Sequence, residues 1–143
     1  MASFTYYTHP YAFSTIKREQ YIRLTTFRQY GQTVDTPVWF AVHNGTIYVT
    51  TGVQSGKVKR IRHTPRVFLA PCTASGKVKA AAVEGKARIV TETQEIDVAQ
   101  AALQRKYGFK PAIYGSIGHL IRLFKGNPAR DSLYLAIEPV YIV

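Results

Sequence analysis

The pair Asn44-Gly45 constrains this chain more than any other two residues do. It lies inside "VDTPVWFAVHNGTIYVTT" (34–51), between two runs rich in β-branched and aromatic residues. Both residues tolerate positive φ, which a two-residue type I′ turn needs at both central positions, so the pair predicts a β-hairpin. Such a turn fixes a register in which His43 faces Thr46, Phe40 faces Val49 and Trp39 faces Thr50. Side chains alternate along a strand, so Val38, Phe40, Val42, Ile47 and Val49 then share one face, the expected core. Pro37, Trp39, Ala41, Tyr48 and Thr50 share the other. A large aromatic among small neighbours implies that something covers that second face.

The remaining segments extend the same pattern. "QYIRLTTFR" (20–28) alternates as a strand and is followed by the loop "QYGQT". "RVFLAPC" (66–72) and "KVKAAAVEGKARIV" (77–90) read as a strand pair joined by "TASG", with Gly85 expected to form a bulge. "TETQEIDVAQAALQRKYG" (91–108) is the strongest helix signal. Thr91 and Gln94 fit a capping box, and Glu92, Glu95 and Asp97 crowd the first turn. Arg105 and Lys106 suit the last turn, with Gly108 as the stop. Ile96, Ala99, Leu103 and Tyr107 have helical spacing.

"PAIYGSIGHLIRLF" (111–124) predicts a second helix, opened by Pro111 and striped by Ile113, Ile117, Leu120, Ile121 and Phe124. Gly115 and Gly118 weaken it. "SLYLAIEPVYIV" (132–143) is a final strand. The expected class is mainly β with peripheral α: a six-stranded antiparallel barrel, two late helices and a short basic helix between hairpins. Residues 1–143 are expected to form a single domain, with 1–19 as a Tyr-rich N-terminal extension (Tyr6, Tyr7, Tyr11).

Composition narrows the partners. At 143 residues, 46% of them apolar, the chain can bury a core and is no disordered tail. No run approaches the ~20 apolar residues of a spanning helix. "MASFTYYTHPYAF" lacks the basic and apolar pattern of a secretory leader. Cys72 is the only cysteine, which rules out a disulfide framework and a cysteine zinc site. The reading is a soluble cytoplasmic protein without a metal site. The balance of 19 basic against 8 acidic residues, +11, points to an anionic partner, either nucleic acid or a polyanionic small molecule.

That charge is densest in "TTGVQSGKVKRIRHTPRV" (50–67), which holds Lys57, Lys59, Arg60, Arg62 and Arg66. Residues 55–63 predict a short helix with Ser55 as N-cap, ended near Thr64 by the following proline. Val58 and Ile61 would pin one face to the barrel, while Lys57 and Arg60 share another edge. A lysine in the first turn opposes the helix dipole unless an anion sits there. Free N–H groups, Gly56 and Lys57 together would make a phosphate seat. Two readings compete with it: charges on a solvated helix face, and a nucleic-acid surface. The latter wants aromatic residues interleaved with the cations, whereas the aromatics here fall in strands.

Single residues add little chemistry. Trp39 either walls a ring or fills an interface, His43 reads as a turn residue, and His119 reads as structural. His9 and His63 have no evident partner, Cys72 suits a buried strand, and Glu84 suits a cross-sheet ion pair. No catalytic acid or base stands out.

"TPVWF", "TG…SGKVKRIR…PRV", "APC", "VEGKARIV" and the helical "RKYG" span residues 25–108. In order and spacing they resemble the pyridoxamine 5′-phosphate oxidase-like superfamily, and within it the oxidoreductases that use the deazaflavin coenzyme F420. The resemblance implies a Greek-key split β-barrel of the FMN-binding type, forming a homodimer with coenzyme grooves at the interface. It places the ring along Pro37, Val38, Trp39 and Phe40. The phosphate would meet Ser55, Lys57 and Lys59 or Arg60, beside a covered face of Pro37, Trp39 and Thr50, and Thr51, Gly52 and Gly56 complete the expected coenzyme-binding residues. The implied activity is hydride transfer to or from a small unsaturated or quinone-like substrate. Alternatives are an FMN-binding relative, a coenzyme carrier without turnover, and a basic barrel that binds nucleic acid. The polyglutamate tail of F420 would suit the surplus positive charge.

Overall fold

The computed structural model describes Phe13 and residues 16–108 and 132–140. Along the chain run β1 (Tyr21–Phe27), β2 (Thr33–Val38), β3 (Ala41–His43), β4 (Thr46–Gly52), α1 (Gly56–His63), β5 (Arg66–Cys72), β6 (Val83–Ile89), α2 (Thr93–Tyr107) and β7 (Ser132–Pro139). The expected helix at 111–124, the Tyr-rich start and the final residues 141–143 lie outside the described residues.

The strands form one antiparallel sheet in the order β2-β1-β5-β6-β7-β4-β3. Asn44 and Gly45 carry φ of 49° and 77°, as a type I′ turn requires. The hairpin pairs His43 with Thr46, Val42 with Ile47 and Ala41 with Tyr48. Inward residues from strands far apart in the sheet, such as Ile22 and Leu24 of β1 and Ile47 and Val49 of β4, join one cluster with Val38, Phe40, Leu69 and Ile137. The sheet therefore curls around a single core as a split barrel with peripheral helices. The expected core face of the hairpin is the observed one. Its other face is covered by α2, which buries Ala41 against Ala102 and Leu103, and Tyr48 against Ala99.

Four expectations need correction. The strand expected across 34–43 breaks at Trp39–Phe40, so there are seven strands, and Phe40 and Trp39 do not pair with Val49 and Thr50. The break follows from a contact distant in sequence: the Tyr107 hydroxyl takes the Phe40 N–H at 3.0 Å, removing it from any ladder. Gly85 is not a bulge, since it pairs in regular register with Val67 on one side and Pro139 on the other. Its reason is close approach: an added Cβ would lie 2.7 Å from Ile137 Cγ2 and 3.2 Å from the Glu138 carbonyl oxygen. The strand expected over 77–90 is confined to Val83–Ile89, with only a bridge between Cys72 and Val78 before it.

The capping box on α2 does not form either. The N-cap is Glu92, one residue later than expected, and its side chain makes no capping bond. The C-terminal end matches expectation, with Arg105 and Lys106 in the last turn and Gly108 at φ 73°. Glu84 pairs with Arg66 at 3.2 Å, and Cys72 is buried within β5.

Candidate coenzyme site

α1 starts as its sequence dictates. Ser55 is extended (φ −66°, ψ 151°), and its Oγ accepts the Val58 N–H at 3.4 Å. Thr51 Oγ1 donates to Ser55 Oγ at 3.0 Å, and the Ser55 N–H donates to the Gly52 carbonyl at 3.0 Å. The end of β4 is thereby locked to the helix start. Val58 and Ile61 are buried, which fixes the roll of the helix against the barrel.

That roll brings cations together. Lys57 is half-buried, and burial first, then Arg60, push its ammonium below the ordinary lysine range. Arg60 is lowered by burial and then by Arg28, at the end of β1. Arg60 Nε donates to the buried Thr26 Oγ1 at 2.6 Å. Its guanidinium folds over Gly56, where an added Cβ would meet Nη1 at 2.6 Å. Gly56 thus makes room for an arginine at the helix start.

Arg60 thus repels Lys57, and Arg28 repels Arg60, in a row of three cations linked through Arg60. Among the described residues none of them makes an ion pair, because the pairing acids Glu19, Asp35, Glu84, Glu95 and Glu138 serve Lys79, Arg23, Arg66 and Arg88. A groove of about 410 Å³ opens beside the row, lined by Phe27, Arg28, Gln29, Gly56, Lys59, Arg60 and His63. No acidic residue stands in the first turn of α1, and Arg28, Lys59 and Arg60 face the groove, whereas Lys57 is not among its lining residues.

The expected ring wall is built differently. Val38 and Phe40 point into the core, leaving exposed Pro37 and half-buried Trp39 as the accessible members. Trp39 stacks on Tyr107 with centroids 5.0 Å apart and an interplanar angle of 18°, and meets Tyr21 at 6.4 Å. Tyr107 Oη also lies 2.9 Å from the carbonyls of Gln20 and Phe40, which share its proton. Lys106 donates to the Glu19 carbonyl at 2.6 Å and sits 3.4 Å from the Phe40 ring centroid. Burial brings its pKa down to about 8. Thr50 pairs with Tyr134, which packs in the Trp39 cluster.

The twelve residues expected to hold the coenzyme lie in two places: Pro37, Val38, Trp39 and Phe40 at and after the end of β2, and Thr50, Thr51, Gly52, Ser55, Gly56, Lys57, Lys59 and Arg60 from the end of β4 into α1. Sequence reading missed Arg28 and Thr26, which only the docking of α1 on β1 brings to Arg60. It also took Lys106 and Tyr107 for helix-end residues. Their place in "RKYG" was the one available signal. Among the described residues no three metal-ligating side chains cluster, and no helix is long and apolar enough to cross a membrane.

Known structures share this architecture. The heme storage protein HutZ of Vibrio cholerae superposes with a TM-score of 0.63 at 12% identity, covering 95% of this chain and 92% of its own. An F420 reductase superposes with a TM-score of 0.58 at 16% identity, covering 90% and 92%. A FAD-binding protein of Mesorhizobium loti gives 0.57 at 15% identity, covering 89% and 86%. At such identities the likeness is one of fold. No curated protein matches the sequence. The family profile described as pyridoxamine 5′-phosphate oxidase matches residues 11–143. With nearly its whole length inside that match, the chain belongs to the pyridoxamine 5′-phosphate oxidase family.

Proposed function

We propose that this chain is an oxidoreductase that holds the phosphate of a flavin-type coenzyme on α1, with F420 preferred over FMN. The observation that carries the reading is the row Lys57–Arg60–Arg28, which has no counter-ion among the described residues. A phosphate there would relieve the repulsion, with Ser55, Lys57 and Arg60 read as its donors. The F420 reductase neighbour and the +11 charge support the deazaflavin, whose tail adds carboxylates to the phosphodiester. The coenzyme is read as binding in a groove between two copies of the chain, in keeping with the family.

When bound, the coenzyme supplies the ring that exchanges hydride with a small unsaturated or quinone-like substrate. The chain's own part is position and water exclusion. Trp39, backed by Tyr107, offers a stiff apolar wall. Phe40 offers no backbone N–H to a ring edge, because the Tyr107 hydroxyl already accepts it. Ring recognition thus falls to Pro37 and Trp39.

Storage without turnover is the second reading, prompted by the heme storage protein of the same fold. Titration of the apo-protein with F420, FMN and hemin in parallel, followed by reduction of enones and quinones with the bound coenzyme, tests both. Tight F420 binding with turnover is the expected result. Tight binding without turnover would favour storage, and failure to bind either phosphate-bearing coenzyme would overturn the assignment.

A further inference from the structure

With Lys57 and Arg60 given to the coenzyme phosphate, Lys59 remains as an exposed cation on the outer side of α1. Lys59 and His63 are exposed on one bank of the groove, one helical turn apart, and exposed Arg28 stands on the other. Between them lies Phe27, whose ring meets Phe68 edge-on at 5.9 Å. Beyond Arg28, the turn 28–32 is closed by the bonds Arg28 N–H to Gln32 C=O and Gly31 N–H to Arg28 C=O. Gly31 supplies its φ of 89°. Tyr30 stands at the tip, 86% exposed, the most exposed large hydrophobic residue among those described.

An aromatic ring held out to solvent by a closed turn, two residues from an arginine that makes no ion pair among the described residues, is the pairing that single-stranded nucleic acid uses. Its phosphates follow the cations and its bases stack on the ring. The sequence separates these residues, since the aromatics belong to β1 and its turn and the cations to α1. The fold brings Phe27 and Arg28, from the foot of that turn, into one groove with Lys59 and His63. We propose that the face formed by Arg28, Tyr30, Lys59 and His63 binds single-stranded nucleic acid, with Tyr30 as the stacking platform. An acidic peptide would use the same cations but would gain nothing from Tyr30.

Fluorescence anisotropy with a labelled oligothymidylate tests this on the full chain, with polyglutamate as a competing polyanion. Wild type should bind the oligonucleotide with a salt slope of about −0.7 per phosphate contact. Replacing Arg28 and Lys59 together by alanine should flatten the slope by about 1.4. Tyr30→Ala should weaken oligonucleotide binding about tenfold, leaving the slope, polyglutamate binding and coenzyme affinity unchanged. No binding at 100 mM salt, or a Tyr30→Ala protein that binds the oligonucleotide as wild type does, would overturn the proposal.

Discussion

The Tyr107 hydroxyl holds both backbone polar groups of Phe40, 3.0 Å from its nitrogen and 2.9 Å from its oxygen, across 67 residues of sequence. This one side chain ends α2, interrupts the strand through Trp39–Phe40 and backs the Trp39 ring. Wall geometry and sheet topology therefore depend on the same contact.

Tyr107→Phe should keep the Trp39 stack and lose the hydroxyl, leaving buried Phe40 groups unpaired. The expected cost is about 1–3 kcal/mol in denaturant unfolding. Because Trp39 is the only tryptophan, its fluorescence reports the stack directly. The spectrum should barely change in Tyr107→Phe and should shift in Tyr107→Ala.

Gly85→Ala should destabilise by about 1–3 kcal/mol, because the added methyl meets Ile137 and a carbonyl oxygen of the neighbouring strand in a packed core. A bulge glycine would respond otherwise, as an alanine there would face no such wall. Thermal unfolding of the variant decides between the two.

The half-buried Lys106 ammonium gives a pH signature. Its folded pKa of about 8 lies below the ordinary 10.5, so the unfolded chain holds more protons between those values. Stability then rises with pH through that window, and the contribution is lost as pH falls back to about 8. Lys106→Met should abolish this part of the pH dependence. Denaturation curves of both proteins from pH 7 to about 10 measure it.

Without coenzyme, the crowded cations of α1 should make inorganic phosphate a stabiliser. Wild type should gain in Tm as phosphate is raised at constant ionic strength, by mass action on the folded state. Lys57→Met should gain less, and should be no less stable than wild type when phosphate is absent. A gain of equal size in both proteins would place the anion elsewhere.

Local chemistry was legible in the sequence. Asn44-Gly45 fixed its own turn, Ser55 its own cap, and Val58 and Ile61 the buried side of α1. The errors arose where a distant residue decides. Alternation runs unbroken through Trp39 and Phe40, and only Tyr107 breaks the strand. Gly85 carries the same local signal whether it makes a bulge or lets Ile137 approach. Thr91-x-x-Gln94 is a sound cap pattern that lost to Glu92 by one residue. In the candidate site, Ser55, Lys57 and Arg60 were readable, whereas Arg28 and Thr26 reach α1 only through the packing of β1.

Isothermal titration of F420 into the apo-protein and its Lys57→Ala variant measures whether α1 holds the coenzyme phosphate. A charge-assisted phosphate contact is worth about 1.5–3 kcal/mol, so the account expects the variant to bind more than about tenfold more weakly. Affinity unchanged within about twofold would mean that the cations of α1 do not hold the coenzyme phosphate.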